Sequence, residues 1–423
     1  MTKLLPNWFK RLGPGLITGA ADDDPSGIAT YSQGGAQFGF GTLWTLFLTF
    51  PLMVAIQVIS ARIGCVTGKG LAANLVHFYP RRVAFTLVML LLAANTINIA
   101  ADLAAMAESV HLATGWPSHI FAVAFGVTCL LLQIFIPYKR YVRVLKWLTL
   151  SLFAYVGTVF ASHVPWGEVA RGVLVPDFEF SQHYLLVIVA IFGTTISPYL
   201  FFWQAGQEVE EMKTRGIHAP LCEVPRSGHL HLRRIKADTL VGMTISQVVA
   251  FFIMLTTAVT LYSHGVHDIQ TSTQAAEALR PIGGEFTFLL FAAGIVGTGM
   301  LAVPVLAGSA AYAVADLFHW SSSLGLEFRA AKGFYAIIAF ATLCGVLFDF
   351  TAVDPVKALI WSAAINGVVA VPLMAAMIYI AMQQKVMSKF VISTRLRWAA
   401  WLATAAMAFA AVSFGVVSLI SPA

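Results

Sequence analysis

Gly19-Ala-Ala-Asp-Asp-Asp-Pro-Ser-Gly27 sets three consecutive carboxylates, Asp22, Asp23 and Asp24, followed by Pro25 and Gly27, inside an apolar segment running from about Leu12 to Phe40. The chain is 58% hydrophobic and 11% charged over 423 residues, so this segment stands where a membrane span is expected. An Asp at the centre of a spanning helix costs roughly 2.5–3.5 kcal/mol, and three fully embedded ones about 8–10 kcal/mol. Pro25 removes a backbone donor at the same point. The segment reads as a deliberately broken helix whose carboxylates surround a cation.

Apolar runs of spanning length lie near 12–40, 42–66, 84–112, 118–137, 145–163, 183–211, 238–263, 286–318, 333–349, 356–382 and 397–420. That makes an all-α polytopic membrane protein of eleven spans with no soluble domain. The longest polar interval, Lys213 to Asp238, reads as a loop. With the N-terminus inside, 23 of the 26 Lys and Arg residues fall in inner segments, among them Lys3, Lys10 and Arg11, and Lys139, Arg140, Arg143 and Lys146. The outer loops hold only Arg171, Arg280 and Lys357. A wrong span count would mix the two sets, so the partition supports the count, a cytoplasmic N-terminus and an outside C-terminus in the cell membrane. The net charge of +6 is therefore a topology signal, and no nucleic-acid partner is expected. The first apolar run lacks a following small-residue cleavage site and reads as a retained span. Cys65, Cys129, Cys222 and Cys344 lie far apart without a Cys-x-x-Cys spacing, which argues against a disulfide framework or a zinc site. Cys222, His218, His229 and His231 read as loop residues rather than a metal sensor.

A second interruption falls in span six, where Phe192-Gly-Thr-Thr-Ile-Ser-Pro-Tyr199 brings Gly, three hydroxyls and Pro together. Spans one and six are equivalent positions in two five-span halves. Paired breaks there predict an inverted five-plus-five repeat, with a site at the midplane between them. The expected divisions are a cytoplasmic tail (1–11), a first repeat (12–163), an outer loop (164–182), a second repeat (183–382) and a final inner loop with helix eleven (383–423).

An unwound helix frees carbonyls at the negative end of a half-helix, and a carboxylate there completes a cation site of hard oxygens. Asp24, next to Pro25, is best placed to face the partner break. Asp22 and Asp23 read as lining an inner vestibule or as partly solvated. Ser197 supplies a hydroxyl from span six, with carbonyls near Thr194 and Thr195. Such a set suits Mg²⁺, Ca²⁺ or Mn²⁺ better than soft metals. Asn95, Asn98 and Asp102 share one face of span three, where Asp102 reads either as a proton relay or as a structural carboxylate. Asn366 in span ten is in reach of the site or is interhelical glue. Glu208, Glu210 and Glu211 read as a solvated inner mouth. Arg62 and Asp316 fall near inner span ends, and Gly294, Gly297 and Gly299 permit close packing in span eight.

Gly13-Pro-Gly-Leu-Ile-Thr-Gly-Ala followed by Asp24-Pro-Ser-Gly resembles the first span of the Nramp family of divalent-metal transporters, whose signature there is Asp-Pro-Gly-Asn. Ala101-Asp102-Leu103-Ala104 and the Gly193-to-Pro198 break resemble its third and sixth spans. The resemblance implies a LeuT-type fold with helix eleven added to the repeat, alternating access, and import of Mn²⁺ or Fe²⁺ with protons. It also implies that metal is cargo rather than cofactor. The metal-binding Asp of the family maps to Asp24, but its Asn maps to Gly27, its Met to Ser197 and the His after the Pro to Tyr199. The Asp of span three is retained as Asp102, and a Glu three residues later is Ala105. Losing Met removes a soft ligand and losing Asn widens the site, which favours a hydrated ion such as Mg²⁺. The pattern resembles the divergent Nramp-related branch that includes magnesium transporters. Losing His and Glu weakens the expectation of proton coupling.

The expected function is divalent-cation import. Two other readings are an ion-coupled carrier of amino acids or organic cations on the same fold, and an intramembrane aspartyl protease using Asp24 and Asp102. No Gly-x-Gly-Asp segment accompanies either Asp, so no enzyme is expected.

Overall fold

Two prolines organise the helices. In the computed structural model, which describes residues 13–136, 151–216, 219–223, 225–321, 328–351 and 353–420, helix α1 (Pro14–Asp22) stops at Asp23 and Asp24 turns extended at φ −70°, ψ 170°. Helix α2 (Pro25–Phe38) then restarts on Pro25. A proline is tolerated at a first helical position because that N–H has no partner in the helix anyway. Further along, α3 (Leu43–Thr67), α4 (Leu71–Phe78), α5 (Arg81–Thr114), α6 (Ser118–Phe135), α7 (Phe153–Ala161) and α8 (Trp166–Leu174) lead to the second break. There α9 (Gln182–Thr195) ends, Ile196 and Ser197 leave helical geometry, and α10 (Pro198–Thr214) restarts on Pro198. Helices α11 (Pro225–Thr260), α12 (Thr287–Phe318), α13 (Lys332–Phe348), α14 (Pro355–Ala381) and α15 (Thr394–Ile420) complete the bundle.

Each of the eleven expected spans has a helical counterpart, span five through α7, with residues 145–150 of that span outside the described residues. Among the described residues, eight stretches are long and apolar enough to cross a membrane, and α13 is a shorter apolar helix. The basic tail of residues 1–11, the group from Lys139 to Lys146 and His218 also lie outside the described residues. One expectation is corrected. The interval Lys213–Asp238 is not a loop throughout, because α11 already begins at Pro225. Its polar first turns are tied to the bundle by buried Ile235 and by Arg234, whose guanidinium pairs with Glu208 at 2.6 Å.

The two broken helices sit at the centre. Helix α1 packs on α11 and α10, α2 on α11, α9 and α14, and α10 on α3 and α12, while α5 lies against α12, α13 and α14. The α9–α10 span is 94% buried, whereas α6 and α15 are each only 22% buried and lie at the periphery. Small residues allow the closest approaches. A Cβ at Gly15 would stand 2.7 Å from the Thr239 nitrogen, and one at Gly19 would overlap Gly242. Gly299 on α12 abuts Met106 and Pro25, in keeping with the packing role expected for it.

Candidate cation site at the paired helix breaks

Asp24 is the N-cap of α2, and its carboxylate is held from four sides. Oδ1 accepts the Gly27 backbone N–H and the Ser26 hydroxyl, both at 2.7 Å. Oδ2 accepts from Asn98 Nδ2 at 2.9 Å and from the Tyr199 hydroxyl at 3.4 Å. The same Tyr199 hydroxyl reaches Ala21 O at 3.0 Å, so it covers a carbonyl that the break in α1 sets free. Asn98 also donates to Asp102 Oδ2 at 3.3 Å, and Asn366 donates to Asn98 Oδ1 at 3.1 Å. Asp24, Asn98, Asp102, Tyr199 and Asn366 are thus one connected network, each 0–1% exposed.

Gly27 faces Thr194 across the two breaks. A Cβ at Gly27 would lie 3.0 Å from Thr194 Oγ1 and 3.4 Å from both Asp22 O and Asp24 Oδ1. Three hard oxygens therefore converge on the position where the family pattern has an Asn side chain. Thr194 Oγ1 is buried and has no hydrogen-bond partner among the described residues. Ser197 is expected to supply a hydroxyl ligand from span six, but its hydroxyl is engaged elsewhere. Its hydroxyl turns back onto Gly193 O and Thr194 O, both at 2.7 Å, and closes the end of α9. Carboxylate, hydroxyl and backbone carbonyl are the donors a Mg²⁺- or Mn²⁺-sized ion accepts.

Asp22 and Asp23 are not solvated. They are 0% and 5% exposed, and the single hydroxyl of Ser246 on α11 serves both, at 2.5 Å from Asp22 Oδ2 and 3.1 Å from Asp23 Oδ1. The close α1–α11 packing turns them inward and away from water. Glu208 likewise departs from the expected solvated mouth, being 0% exposed and paired with Arg234. Glu210 and Glu211 are half-buried and engage Tyr312 and Arg215. Among the described residues, no Lys or Arg pairs with Asp22, Asp23, Asp24 or Asp102. Carboxylates this deeply buried either stay protonated or, as anions, need a counter-charge, and no Lys or Arg among the described residues supplies one.

Polar contacts close the network at both ends of the broken helices. At the start of α1, the Asp238 carboxylate accepts the backbone N–H groups of Gly13 (2.9 Å), Gly15 (2.8 Å) and Leu16 (3.3 Å). On the opposite side, Gln33 of α2 donates to Asp268 Oδ1 at 2.7 Å and accepts Ile269 N–H at 2.9 Å. The roles of Ser26, Ser246, Gln33 and Asp238 have no signal in the sequence. A lone Ser in an apolar span carries no signal, whereas Asn98 at least shares the expected face with Asp102. In Asp238→Ala, α1 loses the acceptor of three donors, worth about 1–3 kcal/mol. The expected outcome is faster thiol labelling of Cys65, which is buried and lies 3.7 Å from Glu208. Peptide mapping by mass spectrometry separates Cys65 from the other three cysteines.

This arrangement of helices and buried carboxylates defines a multi-pass membrane protein of LeuT-type fold. Residues 15–417 match the family model described as natural resistance-associated macrophage protein-like, and the chain belongs to the Nramp family. It is 27% identical over 308 residues to the divalent metal cation transporter MntH of Mesorhizobium japonicum, covering 69% of this chain and 65% of that protein. Against MntH of Yersinia enterocolitica it is 26% identical over 305 residues, covering 68% of each. The chain thus spans about two thirds of these relatives. The manganese transporter of Eremococcus coleocola, solved with an aromatic bis-isothiourea compound, superposes with a TM-score of 0.73 at 17% identity, covering 100% of this chain and 90% of that one. MHP1, a nucleobase-cation-symport-1 family transporter, superposes with a TM-score of 0.55 at 14% identity, covering 97% and 93%.

Proposed function

We propose that the chain is a secondary transporter that imports divalent metal cations by alternating access, with Mn²⁺ and Mg²⁺ as cargo and Fe²⁺ less favoured. The observation that carries this is the group of buried carboxylates without a basic partner among the described residues at the first break, next to oxygens from Thr194 and Asp22 that converge on Gly27. The names of the MntH relatives support the cargo class. Asp24 is the principal ligand, Thr194 Oγ1 and Asp22 O complete its shell directly or through water, and Ser197 shapes the second break. Asn98, held by Asn366, aims Asp24. Tyr199 steadies the break, and Asp102, joined to Asp24 through Asn98, is the group through which a proton would enter the cycle. The basic-residue partition supports a cytoplasmic N-terminus. Release to that side requires α1 to leave α11, which breaks the Asp238 contacts and frees Asp22 and Asp23 from Ser246 to line the exit.

An amino-acid carrier needs free N–H groups at a half-helix start for its substrate carboxylate. Here Asp24 already accepts the Gly27 N–H at the start of α2. The Asp24–Asp102 protease reading fares no better, since an amide, Asn98, stands between the two carboxylates. The test is uptake into proteoliposomes carrying a pH-sensitive dye. We expect Mn²⁺ uptake that Mg²⁺ competes with, and the dye reports whether protons accompany it. Strong preference for Cd²⁺ or Fe²⁺ over Mg²⁺, or no metal uptake, would overturn the assignment.

A further inference from the structure

A cavity of about 600 Å³ lies between α3, α11 and α15, away from the central site. Its walls are apolar: Val54 and Val58 on α3, Leu232 and Ile235 on α11, and Leu396 and Ala399 on α15. Four cations also line it: Arg62 at the end of α3, Arg233 and Lys236 on α11, and Arg395 in the first turn of α15. Among the described residues none of the four has a carboxylate within ion-pair distance. Arg62 reaches only the Val391 carbonyl, at 3.3 Å, and its Nε is buried without a partner.

The cavity's level in the membrane follows from its walls. Helix α11 changes from polar to apolar near Asp238, just beyond Arg233 and Lys236. Trp398, 69% exposed, and Trp401 stand on the first turns of α15, where indoles mark a membrane–water boundary. Pro51 on the cavity rim is also exposed, so the groove is open from the side on which acyl chains lie. An apolar groove topped by unpaired cations at that boundary matches an amphiphile with an anionic head.

We propose that this cavity binds an anionic phospholipid, its phosphate against Arg62, Arg233, Lys236 and Arg395 and an acyl chain along the Val54, Val58 and Ala399 wall. Charge complementarity selects the occupant, because a zwitterionic lipid would bring a second cation to four that are already unpaired. Arg233 and Lys236 flank Arg234, which holds Glu208. A lipid on one side of α11 thereby braces the helix whose other side holds α1.

The test is native mass spectrometry of the full chain in detergent micelles, titrated with dioleoyl phosphatidylglycerol or dioleoyl phosphatidylcholine. Phosphatidylglycerol is expected to bind at least about tenfold more tightly. The triple variant R62Q/R233Q/K236Q is expected to lose that preference. Ala399→Trp keeps every charge but fills the groove, and is expected to lose phosphatidylglycerol binding as well. It decides the matter should the triple variant fail to fold. Equal binding of the two lipids, or unaltered phosphatidylglycerol binding by Ala399→Trp, would overturn the proposal. Displacement of phosphatidylglycerol by excess inorganic phosphate would also overturn it, by showing a site for a soluble anion. None of these readouts depends on metal transport, so this inference and the transport assignment stand or fall separately.

Discussion

Asp24→Ala is expected to reduce metal uptake by at least about 100-fold, equivalent to about 2.7 kcal/mol of lost cation stabilisation. In the proposed site the side chain is the charged ligand, and its oxygens also hold Ser26, Gly27, Asn98 and Tyr199 in register. Truncation therefore removes charge and organisation together. Asp24→Asn separates the two effects, since it keeps a carbonyl oxygen for part of the hydrogen bonding and discards the charge. Mn²⁺ is expected to stabilise the parent thermally, and both variants are expected to insert, to unfold cooperatively, and to show no such stabilisation. Uptake by Asp24→Asn above about a tenth of the parent rate would show that the cation is held elsewhere.

The second large effect is in selectivity. Gly27→Asn with Ser197→Met restores the family pattern at both breaks. The Asn side chain would enter the space bounded by Thr194 Oγ1, Asp22 O and Asp24 Oδ1, and Thr194 has an unpartnered hydroxyl free to rotate away from the new Cβ 3.0 Å distant. The Met adds a thioether, which strengthens binding of transition metals and does little for Mg²⁺. The expected result is at least about a tenfold rise in preference for Mn²⁺ over Mg²⁺, measured by competition in proteoliposomes. Ser197→Met also removes the hydroxyl that closes on Gly193 and Thr194, at about 1 kcal/mol. The single variant is the control for that loss. Unchanged Mg²⁺ competition in the double variant would mean that Gly27 and Ser197 do not set the selectivity.

Both breaks were legible because Pro and Asp are costly in an apolar span, so their presence marks departure from regular helix. The span count was legible for a similar reason, since nearly all Lys and Arg fall in alternate intervals between the apolar runs. What remained hidden was pairing. Ser246 lies more than 200 positions from Asp22, and no local pattern ties them together. Glu208 and Arg234, in a stretch that read as mouth and loop, become an ion pair only once the start of α11 brings Arg234 beside α10. Ser197 was recognised as a hydroxyl at the break, but the direction of its proton depends on the carbonyls that the break itself exposes.

The contact of Gly15 and Gly19 with Thr239 and Gly242 bears on how fast such a molecule works. Two helices that meet through bare backbone have no interlocking knobs, so parting them forces no side chain out of its rotamer. The work of separation concentrates in a handful of polar stitches, those of Asp238 to the start of α1 and of Ser246 to Asp22 and Asp23. In the proposed cycle that seam is fastened at two points, so substitutions at Asp238 and Ser246 are expected to change its opening rate more than substitutions elsewhere along it.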